Sequence, residues 1–141
     1  MKPLDSERSA PSPDLLGLRY LIAAENPYER RLLAETLKSF RLKVFAESEN
    51  PWSVNDIWQR PDMIIWSWSE PRFEELSRLM MAVPRPIVML LVPAPTSALV
   101  QRAALMGVAG IMAKPYSARS LLEHIGNALA IKKRDTRVVI L

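Results

Sequence analysis

Three side chains of this 141-residue chain could do chemistry if the fold brought them together. Glu25, Ser67 and Lys114 each follow a short apolar run: Leu21-Ile22-Ala23-Ala24, Met63-Ile64-Ile65-Trp66 and Gly110-Ile111-Met112-Ala113. A carboxylate, a hydroxyl and an ammonium at one point are the materials for holding a hard cation or steadying a phosphoryl group. The set falls short of either task. One carboxylate is a weak magnesium site. A serine hydroxyl is a poor ligand for a hard cation and a poor nucleophile without a base. Glu25 is the obvious ion-pair partner for Lys114, which gives the lysine a structural role. Ser67 stands between Trp66 and Trp68 and reads as a small residue fitted beside two large ones, out of a kinase's easy reach. Elsewhere, His124 has no second His and no Cys for a zinc site and is expected to face solvent. Ser, His and Asp do not fall at triad spacings. Glycine occurs only at 17, 107, 110 and 126, too sparsely for a phosphate-cradling loop.

The elements that must position these residues alternate. Arg19–Ala24 is a short apolar run that predicts a first strand. Asn26-Pro27-Tyr28-Glu29 is a helix start, with Asn26 as cap, Pro27 in the first turn and Glu29 reaching back to the cap. Leu33, Leu37 and Phe40 then share one face. Leu42–Ala46 is a second strand, and Ser53–Gln59 a short helix stopped by Pro61. Asp62–Trp66 is an unbroken strand after its first residue, as in a sheet covered on both faces. Pro71–Ala82 is a third helix and Ile87–Val92 a fourth strand. Pro95 and Thr96 open a fourth helix that Gly107 closes. Ala109–Ala113 is a fifth strand. Ser117 caps a last helix with Leu121, Leu122, Ile125 and Leu129 inward. Five strand–helix units in about 115 residues predict an α/β fold, (βα)5, a doubly wound parallel sheet in one domain. Active groups of such sheets sit at the carboxyl ends of the strands, here Ala24, Glu25, Ser67, Leu91 or Val92, and Lys114.

Composition narrows the class. Hydrophobic residues make up 49% and charged residues 24%, values of a globular domain. No apolar run reaches the roughly 18 residues of a membrane span, and Met1–Ser6 holds no apolar core for a signal peptide. There is no Cys, hence no disulfide framework or thiolate metal site. A cytoplasmic protein fits. The net charge of +4 is unevenly spread: residues 1–17 are at −1 and residues 132–141 at +3. Residues 1–17, rich in Pro and Ser, read as a flexible arm, residues 18–131 as the domain, and residues 132–141 as a basic tail or the start of an output segment. The apolar end Val138–Leu141 fits an extra strand, the start of a longer element, or a truncation scar.

The order and spacing of several motifs resemble a bacterial response-regulator receiver domain, CheY-like and flavodoxin-like, over about residues 18–131. The motifs are Ala24-Glu25 before a Pro-started helix, Pro61-Asp62 before the third strand, Pro71 four residues after Ser67, Pro86 before the fourth strand, and Gly107 ahead of Lys114-Pro115. The resemblance implies a phosphoacceptor aspartate where Ser67 stands, an acidic metal-binding pair where Ala24 and Glu25 stand, a switch hydroxyl where Leu91 or Val92 stands, and a switch aromatic where Ile111 stands. Of the family's working residues Glu25, one carboxylate of three, and the Lys114-Pro115 pair are retained, and by resemblance the Lys114–Pro115 peptide bond is cis. Trp68 is expected to fill the space that metal and phosphate would occupy.

The expected function is that of a pseudo-receiver, independent of phosphorylation. Such a module would serve bacterial two-component signalling or transcription control by binding a protein partner (a regulator, sensor or output domain). By resemblance its docking or homodimer face lies within residues 96–131. No catalysis, cofactor, metal or membrane contact is expected. Two alternatives stand beside it. One is a fragment of an RNA antitermination regulator of the ANTAR type, using the basic tail, although nucleic-acid binding is not expected of this chain alone. The other is a residual phosphotransfer receiver.

Overall fold

A computed structural model describes residues 13–51, 60–82 and 85–140, with side chains described only as far as residue 132. Five strands form one parallel sheet: β1 (Arg19–Ala24), β2 (Lys43–Ser48), β3 (Met63–Ser67), β4 (Ile87–Val92) and β5 (Gly110–Ala113). Their order is β2-β1-β3-β4-β5. The described helices are a single turn, α1 (Pro13–Leu16), then α2 (Pro27–Ser39), α3 (Phe73–Leu79), α4 (Ser97–Leu105) and α5 (Ala118–Ile140). The strand order reverses between β1 and β3, and the carboxyl ends of those strands define the crevice where such sheets place their ligands.

Alternation along each strand sends side chains to two cores. Tyr20, Ile22, Met63, Ile65, Met89 and Leu91 pack under α2 and α5. Leu21, Ile64, Trp66, Val88, Leu90 and Val92 pack on the opposite face with Leu76 and Leu79 of α3 and Ala103 of α4. Every residue of β3 and β4 is buried, which explains why both read as continuous apolar runs.

The first and fourth strands fall where the sequence puts them. The third strand runs one residue later than expected and the fifth starts one residue later, and three further elements differ for identifiable reasons. The second strand begins at Lys43 because the Leu42 amide is spent on the Leu37 carbonyl at the end of α2. The third helix starts at Phe73, since Arg72 has the non-helical angles φ −131° and ψ 58°. Residues 13–17, assigned to a flexible arm, include the α1 turn, whose Leu15 is buried and whose Leu15 carbonyl accepts from the Tyr20 hydroxyl at 2.9 Å. The helix expected over Ser53–Gln59 lies outside the described residues. The backbone of α5 runs on to Ile140, so residues 132–140 continue the last helix rather than add a strand.

The turns after α2 and α4 use the same cap. At the end of α4 the Gly107 amide bonds to Ala104 and the Val108 amide to Ala103, with Gly107 at φ 100°. A β-carbon at Gly107 would meet Met80 at 3.1 Å and Arg85 at 3.2 Å. Gly107→Ala therefore combines left-handed strain with a close contact. It is expected to cost about 1–2 kcal/mol of unfolding free energy in a urea titration. At the end of α2 the residue in the same position is Arg41, at φ 66°.

Candidate functional site

The site is built on the ends of β1, β3 and β5. Ala24 and Ser67 are register partners across β1 and β3, and Leu91 faces Ser67 across β3 and β4. Leu91 is thus the β4 residue beside Ser67, with Val92 one residue further on at the end of the strand. Ala24 and Leu91 are fully buried and apolar, so neither offers a ligand atom. Ile111 is half-buried against the second core. The Lys114–Pro115 bond is cis, as the resemblance implied.

Ser67 is 3% exposed, and its hydroxyl is engaged twice. It donates to Glu29 Oε2 at 2.8 Å and accepts from Lys114 Nζ at 2.8 Å. Lys114 Nζ also lies 3.1 Å from the same Glu29 oxygen. The three polar groups form a closed triangle at the switch point of the sheet. Glu25, expected to pair with Lys114, instead pairs with Arg72, which also reaches Glu75 at 3.0 Å. The reason is geometric. Glu25 leaves β1 in an exposed turn, whereas Glu29 stands one helical turn further on and overhangs the β3 end.

The local sequence makes this possible. Asn26 Oδ1 accepts from the Tyr28 and Glu29 amides at 2.8 and 3.0 Å, so α2 is capped without the Glu29 side chain. The Glu29 carboxylate, expected to close a capping box, is free to reach the sheet. Arg30 ties the same turn to β1 by donating to the Ala24 carbonyl at 2.7 Å. Sequence reasoning missed the roles of Glu29 and Arg72. The only signal was their type and proximity to strand ends, since both act on residues distant along the chain.

A cavity of about 280 Å³ opens beside the triangle, lined by Glu25, Asn26, Glu29, Ser67 and Ser69. Trp68 does not fill it. Its ring packs in the second core, edge-on to Trp66 and to Phe73 at centroid distances of 5.4 Å in both cases. Arg102 of α4 stacks over Phe73 at 4.1 Å, extending this row of rings to the α4 surface. The Trp68 indole N–H is buried without a hydrogen-bond partner among the described residues. No group of three or more His, Cys, Asp or Glu side chains able to hold a metal occurs among the described residues. His124, expected to face solvent, is half-buried with Nδ1 2.9 Å from the Ser120 carbonyl oxygen.

A larger groove of about 690 Å³ runs between α2 and the β5–α5 turn, past Glu29, Lys114 and Tyr116. Burial, reinforced by the Glu29 carboxylate, pushes the Tyr116 hydroxyl up to about 12. Burial pushes Tyr20 up as well, with the Asp62 charge second. Both shifts favour the protonated form in the folded state. Their stabilising contribution is therefore complete below pH 10, the ordinary tyrosine value, and is lost as pH rises through the folded-state values. Urea midpoints are expected to hold from pH 8 to 10 and to fall between 10 and 12, and Tyr116→Phe is expected to shallow that fall.

The fold is that of the response-regulator receiver. The signal receiver domain of a modulated diguanylate cyclase from Desulfovibrio desulfuricans G20 is similar at 21% identity and a TM-score of 0.69, with 84% of this chain and 98% of that one covered. Vibrio cholerae chemotaxis protein CheY4 is similar at 19% identity and a TM-score of 0.69, over 79% and 98% of the two chains. RcsB from Salmonella enterica serovar Typhimurium, bound to promoter rprA, is similar at 15% identity and a TM-score of 0.68; 77% of this chain is covered, and it spans 66% of the RcsB chain. No family model matches the sequence, and no curated protein matches it. Among the described residues no helix is long and apolar enough to cross a membrane.

Proposed function

We propose that this chain is a pseudo-receiver: a cytoplasmic, non-catalytic regulatory module that works by binding a protein partner or a second copy, without phosphoryl transfer. One observation carries the reading. The position where the resemblance implies an acceptor carboxylate holds Ser67, whose hydroxyl is already bonded to Glu29 and Lys114. Each carboxylate around the cavity has its own cation, Lys114 for Glu29 and Arg72 for Glu25. Internal cations thus supply the neutralisation that a receiver draws from magnesium. A divalent ion would have to displace them and would gain few ligands in return.

The side chains that would transmit a phosphoryl signal are apolar, Leu91 and Ile111. The state of the module is then set by occupancy, and a partner shifts it only by its differential affinity for the two states. The face within residues 96–131 supports the docking role, since α4 presents Leu105 at 90% exposure and Val100 at 39%. Bacterial signalling or transcription control is the setting this proposal fits.

The test pairs two readouts on the full chain. Intact mass after incubation with acetyl phosphate and magnesium is expected to show no phosphoryl adduct. Sedimentation or light scattering is expected to give an oligomeric state indifferent to that treatment. An adduct mapped to Ser67, or a treatment-dependent change of assembly, would establish the residual phosphotransfer receiver instead.

A further inference from the structure

We infer that the edge of the sheet opposite the candidate site, where the strands begin, is a contact surface for the phosphate backbone of nucleic acid. The sheet is parallel, so all five strands start at one edge, which carries Arg41 just before β2, Lys43 as the first residue of β2, Arg60 before β3 and Arg85 before β4. All four are exposed. Register places Lys43 beside Arg19, the first residue of β1. The Asp62 amide then bonds to the Arg19 carbonyl and the Ile87 amide to the Asp62 carbonyl, which fixes β3 and β4 next in line. At a strand spacing of about 4.8 Å, the row from β2 to β4 spans about 14 Å.

Acidic side chains described at this edge are Asp62, whose carboxylate accepts from the Arg19 amide at 2.8 Å, and Asp14. Arg41, Lys43 and Arg60 form no ion pair with any described residue. The last helix leads to the same edge. The Ala128 β-carbon lies 3.6 Å from where one would stand on Gly110, the first residue of β5, so α5 has reached the strand starts by that point. Its backbone continues beyond, through a stretch whose sequence is Lys132-Lys133-Arg134.

Arg41 and Arg60 are the two non-glycine residues described with positive φ, at 66° and 55°. Glycine would hold either turn with less strain. Both positions carry arginine instead, at the same edge, and both side chains face water. Strain retained in favour of a particular side chain points to a use for that side chain. The guanidinium fork suits phosphate oxygens, and a row of such charges, continued by a helix, matches a linear polyanion with about one charge per 1.7 Å of duplex axis. Among the described residues the row is made of cationic side chains, so the expected binding is to the backbone and indifferent to sequence. This surface is distinct from the face within residues 96–131 proposed for protein docking, and it does not depend on the reading of Ser67.

The experiment measures fluorescence anisotropy of a labelled mixed-sequence DNA duplex with the full chain over a range of salt. A parallel arm uses vesicles rich in an anionic phospholipid. The comparison protein is the double variant Arg41→Gly and Arg60→Gly, which keeps both turns because glycine accepts their φ values. Binding by the original chain is expected to weaken steeply with salt. The double variant is expected to bind about 10-fold or more weakly, with a log–log salt slope shallower by about 1.8, the loss of two phosphate contacts. Its urea midpoint should not fall, which separates lost contact from lost fold. Equal duplex affinity in the two proteins, binding insensitive to salt, or binding to vesicles alone would each overturn the inference.

Discussion

Trp68→Ala is expected to be the most damaging single substitution at the site, costing about 3–5 kcal/mol of unfolding free energy. The indole is 1% exposed and packed edge-on between Trp66 and Phe73. Its removal leaves a void under the β3–α3 turn and withdraws support from Phe73, on which Arg102 stacks. Trp68→Phe separates packing from polarity. It keeps an aromatic in the void and discards an N–H that is buried without a partner. We expect that variant to lose no more than about 1 kcal/mol, because leaving out a buried donor offsets part of the lost volume. Urea unfolding of the two variants checks both numbers. Similar losses for alanine and phenylalanine would show that Trp68 is held by something other than its neighbouring rings.

Lys114→Met carries the second large effect. It leaves the Glu29 carboxylate facing the Ser67 hydroxyl with no cation, in a site where the Lys114 and Glu29 side chains are 18% and 28% exposed. A fully buried pair broken on one side costs about 3–5 kcal/mol, and partial exposure reduces the expectation here to about 1–3 kcal/mol. The loss should be smaller when the carboxylate is removed too. A double-mutant cycle with Glu29→Gln is expected to return a coupling of about 0.5–2 kcal/mol. Additive losses in the cycle would mean that the triangle is geometry without energetic consequence.

Most of the fold was legible because it rests on local rules. The β3 and β4 runs have no polar break. Asn26 and Thr96 stand where helix caps are needed, and the Thr96 hydroxyl accepts from the Leu99 amide at 3.1 Å. Gly107 marks a left-handed turn. Boundaries slipped where one residue serves two elements, as at Leu42, whose amide finishes α2 and so delays β2. Arg41 hid the matching turn on the other helix, since nothing in an arginine announces a positive φ.

The site was legible in its losses and less so in its replacements. Ser67 and Ala24 could be placed at strand ends by counting from prolines and glycines, whereas the same counting left Leu91 and Val92 both open. The partner of Lys114 could not, because Glu25 and Glu29 are both near the end of β1 and only the path of α2 decides between them. Glu29 had a sufficient local role as a capping residue, which masked its longer reach to Ser67, 38 residues away in sequence. The proposed function follows from that replacement: the polar centre of the site is satisfied by the chain's own side chains.

The most direct measurement is an NMR titration of the ¹⁵N-labelled chain with magnesium, followed by beryllofluoride, watching the amides of Ser67, Trp68 and Lys114. With Glu29 and Lys114 closing the site around Ser67, those amides are expected to stay in place through both additions. Saturable shifts at Ser67 and Lys114 that require both magnesium and beryllofluoride would contradict the account and restore the site to working phosphoryl chemistry.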